Sequence, residues 1–509
     1  MKRHPLYALG LLTASVTVMI GASPRAAEAQ PATATAAVAW VDQFGPDTEL
    51  YSSVAVNGSA VYVTGNSVGA SYPIYLRRYS ETGTAEWDIT MPHANGYATP
   101  VVAADADQVC VGGITSRDLD GSGFFNQSTG FVRCLAHDGS VRGTGYVETL
   151  HQPTGYPPIT YVTGILPSHD AVYVVGITEG TLEGSCLGGP CTPGAPRDAF
   201  IRKYDVGSGG ALTTAWTRQV DLGGWDNFIG AAFDSTGNVR VWGTHQRFAE
   251  NTGISLRCYE TTGDECGGSD IALVDEAPFA GTFAGDAFYL GTQSYFVFQS
   301  VVRRYSIGAG MAAGPDPDWS TAIARSFVYG LAGDDDGIVL TGAEAPGHGP
   351  YDGSDAIVHR LDAAGNVSWR LRFGSETNDN AFGVAVNGTR IYSTGQTTGP
   401  MEPGATVSQG ADVFVVRVTR PEEAGIHDLL ARIEALRADG TLKHGQAHAL
   451  EVKLADALEA YEDGDTARLV ARLGAFINQV NAFRNAGILS ATVASDLIGI
   501  AQSVIDLVS

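Results

Sequence analysis

The sequence predicts a mainly β chain: a seven-bladed β-propeller of four-stranded antiparallel blades, followed by a small four-helix bundle. Three observations predict it. A short strand ending in glycine recurs with a period of roughly fifty residues, as propeller blades do. A glycine turn and then a tryptophan strand follow most of these repeats. From Pro421 onward, strand alternation gives way to apolar residues at every third and fourth place.

Residues 1–29 read as a secretory signal. Lys2 and Arg3 supply the positive start, Leu6 to Ala22 the apolar core, and Ala27-Glu28-Ala29 the small-residue cleavage site. A membrane anchor is the rival reading, but the apolar run is short for a bilayer span and the cleavage site follows it closely. Cleavage near Ala29 would leave a chain secreted or held at the cell surface. The expected plan is then a short linker over 30–38, the propeller over 39–420 and the helical domain over 421–509. No later segment reads as apolar enough to span, so no membrane span is expected after cleavage.

Aligned on the strand-ending glycine, the units read VYVTG to Gly65, VCVGG to Gly113, VYVVG to Gly176, VRVWG to Gly243, FYLG to Gly291, IVLTG to Gly342 and IYSTG to Gly395. After each comes a variable loop and a further strand, such as IYLRRY at 74–79 or VFVVRV at 413–418. A turn with Gly83, Gly139, Gly263 or Gly365 usually leads on to a tryptophan: Trp87, Trp216, Trp319 or Trp369. The second and fourth units lack it. In the last repeat, Trp369–Phe373, Phe382–Val386, Arg390–Thr394 and Val413–Val418 read as one four-stranded sheet. Asn387-Gly388 marks a tight hairpin there, because that turn needs positive φ at both central residues.

The small apolar strand, VAV at 54–56 or GVAV at 383–386, suits the crowded innermost place, and the tryptophan strand the outermost. Trp40 to Phe44 is a tryptophan strand with no unit before it, and the array ends at Val418 with none after it. The N-terminal strand is therefore expected to complete the last blade and remove two open edges. Beyond the array, four apolar faces follow: Ile426 to Leu436, Leu450 to Tyr461, Leu469 to Phe483 and Val493 to Val504. Asp465 and Ser490 stand at N-cap positions, and Gly440, Gly464 and Gly487 separate the helices.

The pattern W…FG…VAV…VYVTG…DAFVVRY…G…W over about 40–418 resembles the bacterial SBBP-type β-propeller repeat. It also looks distantly like quinoprotein-type blades, which share the turn glycine and tryptophan, but no adjacent Cys-Cys pair supports a quinone cofactor. The strings GTLKHGQAHALEVKLADALEAYEDGD and LGAFINQVNAFRNAGILS resemble the FIMAH-type domain of secreted bacterial proteins. That resemblance implies an accessory role, surface or matrix association, and brings no catalytic residues with it.

The net charge of −24 argues against nucleic acid, whose phosphates need a basic footprint. Six cysteines in an exported chain fit disulfides, and spacing pairs Cys110 with Cys134, Cys186 with Cys191 and Cys258 with Cys266. Zinc is the competing reading, but no CxxxxC here has a matching second pair. Gly65-Asn66-Ser67-Val68-Gly69 matches a nucleophile-elbow pattern. GITEG at 176–180 and GQTTG at 395–399 stand at the same repeat position, so the pattern reads as a loop entry. Asp118-Leu119-Asp120-Gly121 has the opening of a calcium loop without its later ligands, which leaves calcium as a weak candidate and no other cofactor. Asp334-Asp335-Asp336-Gly337 falls at a hairpin. His444 and His448, one helical turn apart, read as a solvated face.

No nucleophile, metal set or acid pair stands out. The first expectation is therefore a non-enzymatic, monomeric binder of an extracellular protein, glycan or cell-surface component. A polysaccharide hydrolase or lyase on the same scaffold is the alternative. Short turns cluster on one face of the ring, and the long connections near 114–130, 177–199, 344–356 and 396–412 on the other. That second face, with Phe124, Phe125, Trp225, Asp226, His348 and Tyr351, is where a ligand is expected.

Overall fold

The computed structural model describes residues 34–508 except 46–51, 67–72, 92–99, 118, 120–123, 150–157, 183–185, 188–196, 247–251, 295–298, 315, 335–336, 346–352 and 402–409. Seven antiparallel sheets form the blades. Blade 1 is Ser52–Asn57, Ala60–Asn66, Ile74–Tyr79 and Ala85–Met91, counted from the axis outward. Blades 2 to 6 span 101–147, 160–220, 225–272, 276–324 and 326–373. Blade 7 is Asp379–Asn387, Arg390–Thr397 and Asp412–Thr419, and its outer strand is Ala37–Phe44 from the other end of the chain. The ring closes as the repeat phase predicts. Inner strands of successive blades touch all the way round, including Ser52–Asn57 against Asp379–Asn387 across the closure.

Two details correct the sequence reading. Trp369 lies on Val367–Phe373, which pairs with Asp355–Asp362 as the outer strand of blade 6 and does not join the sheet of Phe382–Val386. The reason is local: the tight turn at Gly365, whose N–H donates to Asp362 O at 2.9 Å, ties this strand to the one before it. Blade 3 also has a fifth strand, Cys186–Leu187, running parallel to Leu212–Val220.

The tryptophan strands latch neighbouring blades together. The indole N–H of Trp40, Trp87, Trp216 and Trp319 donates to a carbonyl in the outer turn of the next blade: Glu81 at 2.9 Å, His137 at 3.2 Å, Thr261 at 3.0 Å and Ala363 at 3.0 Å. Each turn carries a glycine at φ between 85° and 90°, and a Cβ on Gly83, Gly263 or Gly365 would come within 2.7, 2.8 or 2.5 Å of the indole. The recurring turn glycine thus serves both a left-handed backbone and a close ring contact. Blades 2 and 4 lack the tryptophan and each carry a disulfide instead, Cys110–Cys134 and Cys258–Cys266. Both match the pairs expected from spacing and suit an oxidising, extracellular environment. Cys191, and with it the expected Cys186–Cys191 pair, lies outside the described residues.

Blade 7 has no outer turn for Trp369 to latch, because Thr419 runs on into a helix. Trp369 instead lines a cleft of about 490 Å³ with Thr389, Arg420 and Tyr461. The helices are α1 (Pro421–Ala438), α2 (His444–Glu462), α3 (Thr466–Asn485) and α4 (Ala491–Val508). Each packs on the next and α4 returns to α1, around Ile426, Leu429, Leu450, Leu473, Phe476 and Leu497. The expected caps are present: Asp465 accepts from Arg468 N at 2.9 Å and Ser490 Oγ from Val493 N at 3.2 Å. By length and composition α4 could cross a membrane, contrary to the sequence reading. Here its Ala494, Leu497, Ile500, Ala501 and Val504 face the bundle core.

The bundle sits on the short-turn face at blades 6 and 7. Asp334, in the inner hairpin of blade 6, accepts from Arg360 at 2.6 and 2.8 Å and from Arg420 at 2.9 Å, and Arg420 also donates to Gly388 O at 2.9 Å. Asp334 is thus the hub of an ion network, a role its hairpin position did not disclose. Glu423 on α1 is 2% exposed and meets Arg417 at 2.6 Å. Burial pushes its carboxyl up, but His427 and Arg417 outweigh that and hold it below the ordinary range. From the other chain end, Ala34 N donates to Ser503 Oγ on α4 at 3.1 Å.

One buried histidine predicts an acid sensitivity. His359, in blade 6, is 4% exposed; burial, with the Arg370 charge added, pushes its pKa down to about 4. Unfolded, the imidazole titrates near 6.5, so the unfolded chain takes up the proton first. Stability is then lost as pH falls through 6.5 and levels off near 4, by up to roughly 3 kcal/mol. Urea melts at pH 7 and pH 4.5 should show His359→Gln losing less than the wild type between them. Equal losses would mean this histidine does not govern the acid limb.

Candidate functional site

The axial lining arises from a repeated irregularity. In blades 3 to 7 the inner strand holds one extra residue against its partner: Thr163, Ile229, Phe279, Tyr329 and Phe382. Such a bulge bends the strand and re-aims the side chain it adds. It also explains the aligned glycine in four of the repeats. A Cβ on Gly176, Gly243, Gly342 or Gly395 would lie 1.8, 1.8, 1.8 or 2.0 Å from a carbonyl oxygen of the inner strand, namely that of Tyr161, Asn227, Phe327 or Asn380.

Three of the five added residues are aromatic, and they touch from blade to blade. The Phe279 and Tyr329 rings stand 6.3 Å apart at 72°, and Tyr329 and Phe382 5.3 Å apart at 57°. Phe327 lies parallel to Tyr329 at 6.0 Å. Phe279 is 47% exposed, and Tyr329 and Phe382 are half-buried. Blades 5 to 7 therefore present an aromatic arc on one side of the axis, nearer the long-loop face, while blades 3 and 4 offer Thr163 and Ile229. Flat apolar rings with a polar phenol tip suit a ligand that has apolar faces and polar edges.

Three residues before each bulge, at or next to the start of the inner strand on the long-loop face, stand Thr160, Asp226, Glu276, Ser326 and Asp379. Glu276 is gripped by Arg303 at 2.6 and 2.8 Å and by Thr292 at 2.7 Å. Burial pushes it up, but these bonds and the Arg303 charge hold it below the usual carboxylate range. Asp379 accepts from Ser375 N at 2.7 Å; burial raises its pKa, and the neighbouring Asp355, itself paired with Arg372, adds to the rise. Asp226 accepts from Leu222 N at 2.5 Å and is 1% exposed.

The long loops are rooted by a clamp repeated in blades 3 and 7. Gln219 donates to Asp198 at 2.6 Å and to Gly180 O at 3.0 Å, and accepts from Leu182 N at 2.9 Å. Gln43 makes the same contacts to Asp412 at 2.8 Å, Gly399 O at 3.3 Å and Met401 N at 2.7 Å. Thr178 and Thr397 bond the glycine two residues on. The GITEG and GQTTG strings are therefore loop entries, as expected. Ser67 in GNSVG lies outside the described residues.

The residues expected on the ligand face fare differently. Trp225 is 47% exposed, with the Arg197 guanidinium 4.8 Å from its ring. Asp226 beside it is buried and ties down the crossing loop, so it does not meet a ligand at the surface, contrary to expectation. Phe124 opens a long strand, Phe124–Leu135, and pairs with Arg117, so strand replaces the outer part of the expected 114–130 loop; Phe125 follows it. His348, Tyr351, Asp118, Asp120 and Gly121 lie outside the described residues. His444 and His448 are exposed on α2, with near-parallel rings 6.2 Å apart. Sequence reading missed the aromatic arc, although its signal, an aromatic three or four residues into the inner strand, was present in PFAG, VYGL and AFGV.

Residues 426–506 match the family model of the FIMAH domain, so the bundle is a helical accessory domain. No curated protein matches the chain. Solved structures similar in fold include a protein of unknown function from Dyadobacter fermentans, 10% identical with a TM-score of 0.40, covering 76% of this chain and 99% of that one. The phage phi92 endosialidase is 10% identical with a TM-score of 0.39, covering 75% and 69%. Trypanosoma rangeli sialidase is 10% identical with a TM-score of 0.40, covering 72% and 60%. These likenesses concern the fold alone.

Proposed function

We propose that this chain is an exported, non-enzymatic binding protein whose propeller takes a glycan at the axial aromatic arc, with the FIMAH domain as a module for surface or matrix association. The arc of Phe279, Tyr329 and Phe382 carries this reading. Three touching rings, one of them half exposed, form a platform on which sugar rings can stack while their hydroxyls reach polar groups at the rim. The helical domain leans on the opposite, short-turn face at Asp334 and Gly388, away from the arc. Two disulfides and the signal-like residues 1–29 support export. The repeats themselves read as the SBBP type, with the W…F strings on outer strands, VAV on inner strands and VYVTG on second strands.

A polysaccharide array, screened with the full chain for both binding and release of product, tests this. Phe279→Ala, at an exposed position, should leave the melting temperature unchanged and weaken binding about tenfold, roughly 1.4 kcal/mol. Turnover of a bound polymer would make the protein a hydrolase or lyase. Undiminished binding by Phe279→Ala and Tyr329→Ala would remove the arc from the site.

A further inference from the structure

The outer turns of the ring share one form. In residues 80–84, 136–140, 260–264 and 362–366 the glycine N–H donates to the first carbonyl of its turn at 2.8 to 3.0 Å. The second residue of each turn offers the carbonyl that the indole of the preceding blade takes. Where the tryptophan is missing, Gly143 and Gly267 stand at its register position in blades 2 and 4. A Cβ there would lie 2.2 and 2.1 Å from the carbonyl oxygens of Gly210 and Gly310 in the next turn. Every outer turn of blades 1 to 6 is thus held within the chain.

Trp369 is the exception. It stands opposite Arg360 as Trp87 stands opposite Arg78, so its register is that of a latch. Arg420 lies two places past Val418, as Glu81 lies past Tyr79 and Ala363 past Leu361, and its carbonyl is the expected acceptor. The first turn of α1 has taken that carbonyl: it accepts from Ala424 N at 2.9 Å. The Trp369 indole N–H, on a side chain buried to 9% exposure, has no hydrogen-bond partner among the described residues. Across the same cleft Tyr461 is 7% exposed, and its closed-off hydroxyl lies by Thr389 without making a hydrogen bond. Buried indole and phenol donors ordinarily find an acceptor, and leaving one unmet is costly. The cleft, about 490 Å³, has the size of a ligand site.

We propose that this cleft binds a glycine turn of a partner protein, which takes the place of the outer turn that blade 7 lacks. The second carbonyl of that turn would accept from the Trp369 N–H, and its glycine would lie against the indole face. The class of ligand is narrow. A Cβ on Gly365 would come within 2.5 Å of the Trp319 ring and one on Gly83 within 2.7 Å of Trp40, and both glycines have positive φ. A side chain at that place is therefore excluded. A second copy of this chain does not serve, because its own outer turns are already held. The bundle supplies Tyr461, Leu469 and Leu507 to the cleft, so the site exists only where the two modules meet. It lies on the short-turn face and does not depend on glycan binding at the arc.

The test uses the full chain and a cyclised peptide of residues 360–368, the turn that Trp319 holds. Titration should show submillimolar binding. The indole N–H resonance of Trp369, identified by its loss in Trp369→Phe, should shift while those of Trp40, Trp87, Trp216 and Trp319 stay in place. The same peptide with Gly365→Ala should bind at least about tenfold more weakly. Trp369→Phe keeps a ring and drops the donor, and should weaken binding about threefold or more. Leu507→Glu, at a position 42% exposed, should weaken binding with the melting temperature unchanged, and decides the matter if Trp369→Phe does not fold. No binding would overturn the proposal, as would binding that leaves the Trp369 resonance in place. Equal affinity for the Gly365→Ala peptide, or undiminished affinity in both protein variants, would overturn it too. Glycan binding is scored separately on the array, so either reading can fail alone.

Discussion

Deleting residues 34–44 should destabilise the propeller by on the order of 5 kcal/mol and leave it prone to edge-to-edge association. Ala37–Phe44 is the outer strand of blade 7, so its loss uncovers Asp412–Thr419 along its length. Its side chains work at two interfaces. Val38 and Val41 pack on the cluster of Trp369, Phe414 and Val416, and Trp40 and Phe44 on that of Tyr79 and Tyr392. Full burial of such a side chain is worth about 1.5–3 kcal/mol, and these four are mostly half-buried, which gives roughly 4–5 kcal/mol before polar contacts. The deletion also removes the Trp40 latch, the Asp42 acceptor of Tyr79 Oη at 2.7 Å and the Gln43 clamp. Calorimetry should record a melting temperature at least about 5 °C lower. An unchanged transition would mean that the ring does not depend on its N-terminal strand.

Asp334→Ala should cost about 3–5 kcal/mol, because it strips one carboxylate from two guanidiniums that are 6% and 11% exposed. Arg360 belongs to the propeller and Arg420 to its junction with α1, so both the blade and the docking of the helices should loosen. Removing all three charges as Asp334→Leu, Arg360→Met and Arg420→Met should return much of the loss, since the penalty lies in the orphaned charges. Urea melts of the full chain would decide. A loss below about 1 kcal/mol for Asp334→Ala would place the network among surface pairs of little weight.

Much of the architecture was legible because it rests on short-range rules. Alternation, turn glycines and the surplus strand at Trp40 were enough for seven blades and their closure. Local spacing was enough for Cys110–Cys134 and Cys258–Cys266, and the period of three and four for the helices. Pairing across a turn was harder: Trp369 was assigned to the wrong sheet because sequence order does not say whether a strand joins the hairpin before it or crosses to the next blade. The bulges at Phe279, Tyr329 and Phe382 were invisible for a related reason. One added residue leaves the composition of a strand unchanged and shows only against its partner. Asp226 looked like a surface acid beside Trp225, yet it is buried and accepts from Leu222 N in the crossing loop. The arc needed neighbouring blades to pack before residues about fifty apart, the blade period, could meet.

Hydrogen–deuterium exchange of the full chain, with and without an oligosaccharide selected on the array, tests the binding account most directly. Protection should gather on the inner strands Glu276–Ala284, Ser326–Asp334 and Asp379–Asn387, with α1 to α4 unchanged. Protection confined to the helices, or to the short turns at 57–59 and 387–389, would contradict it.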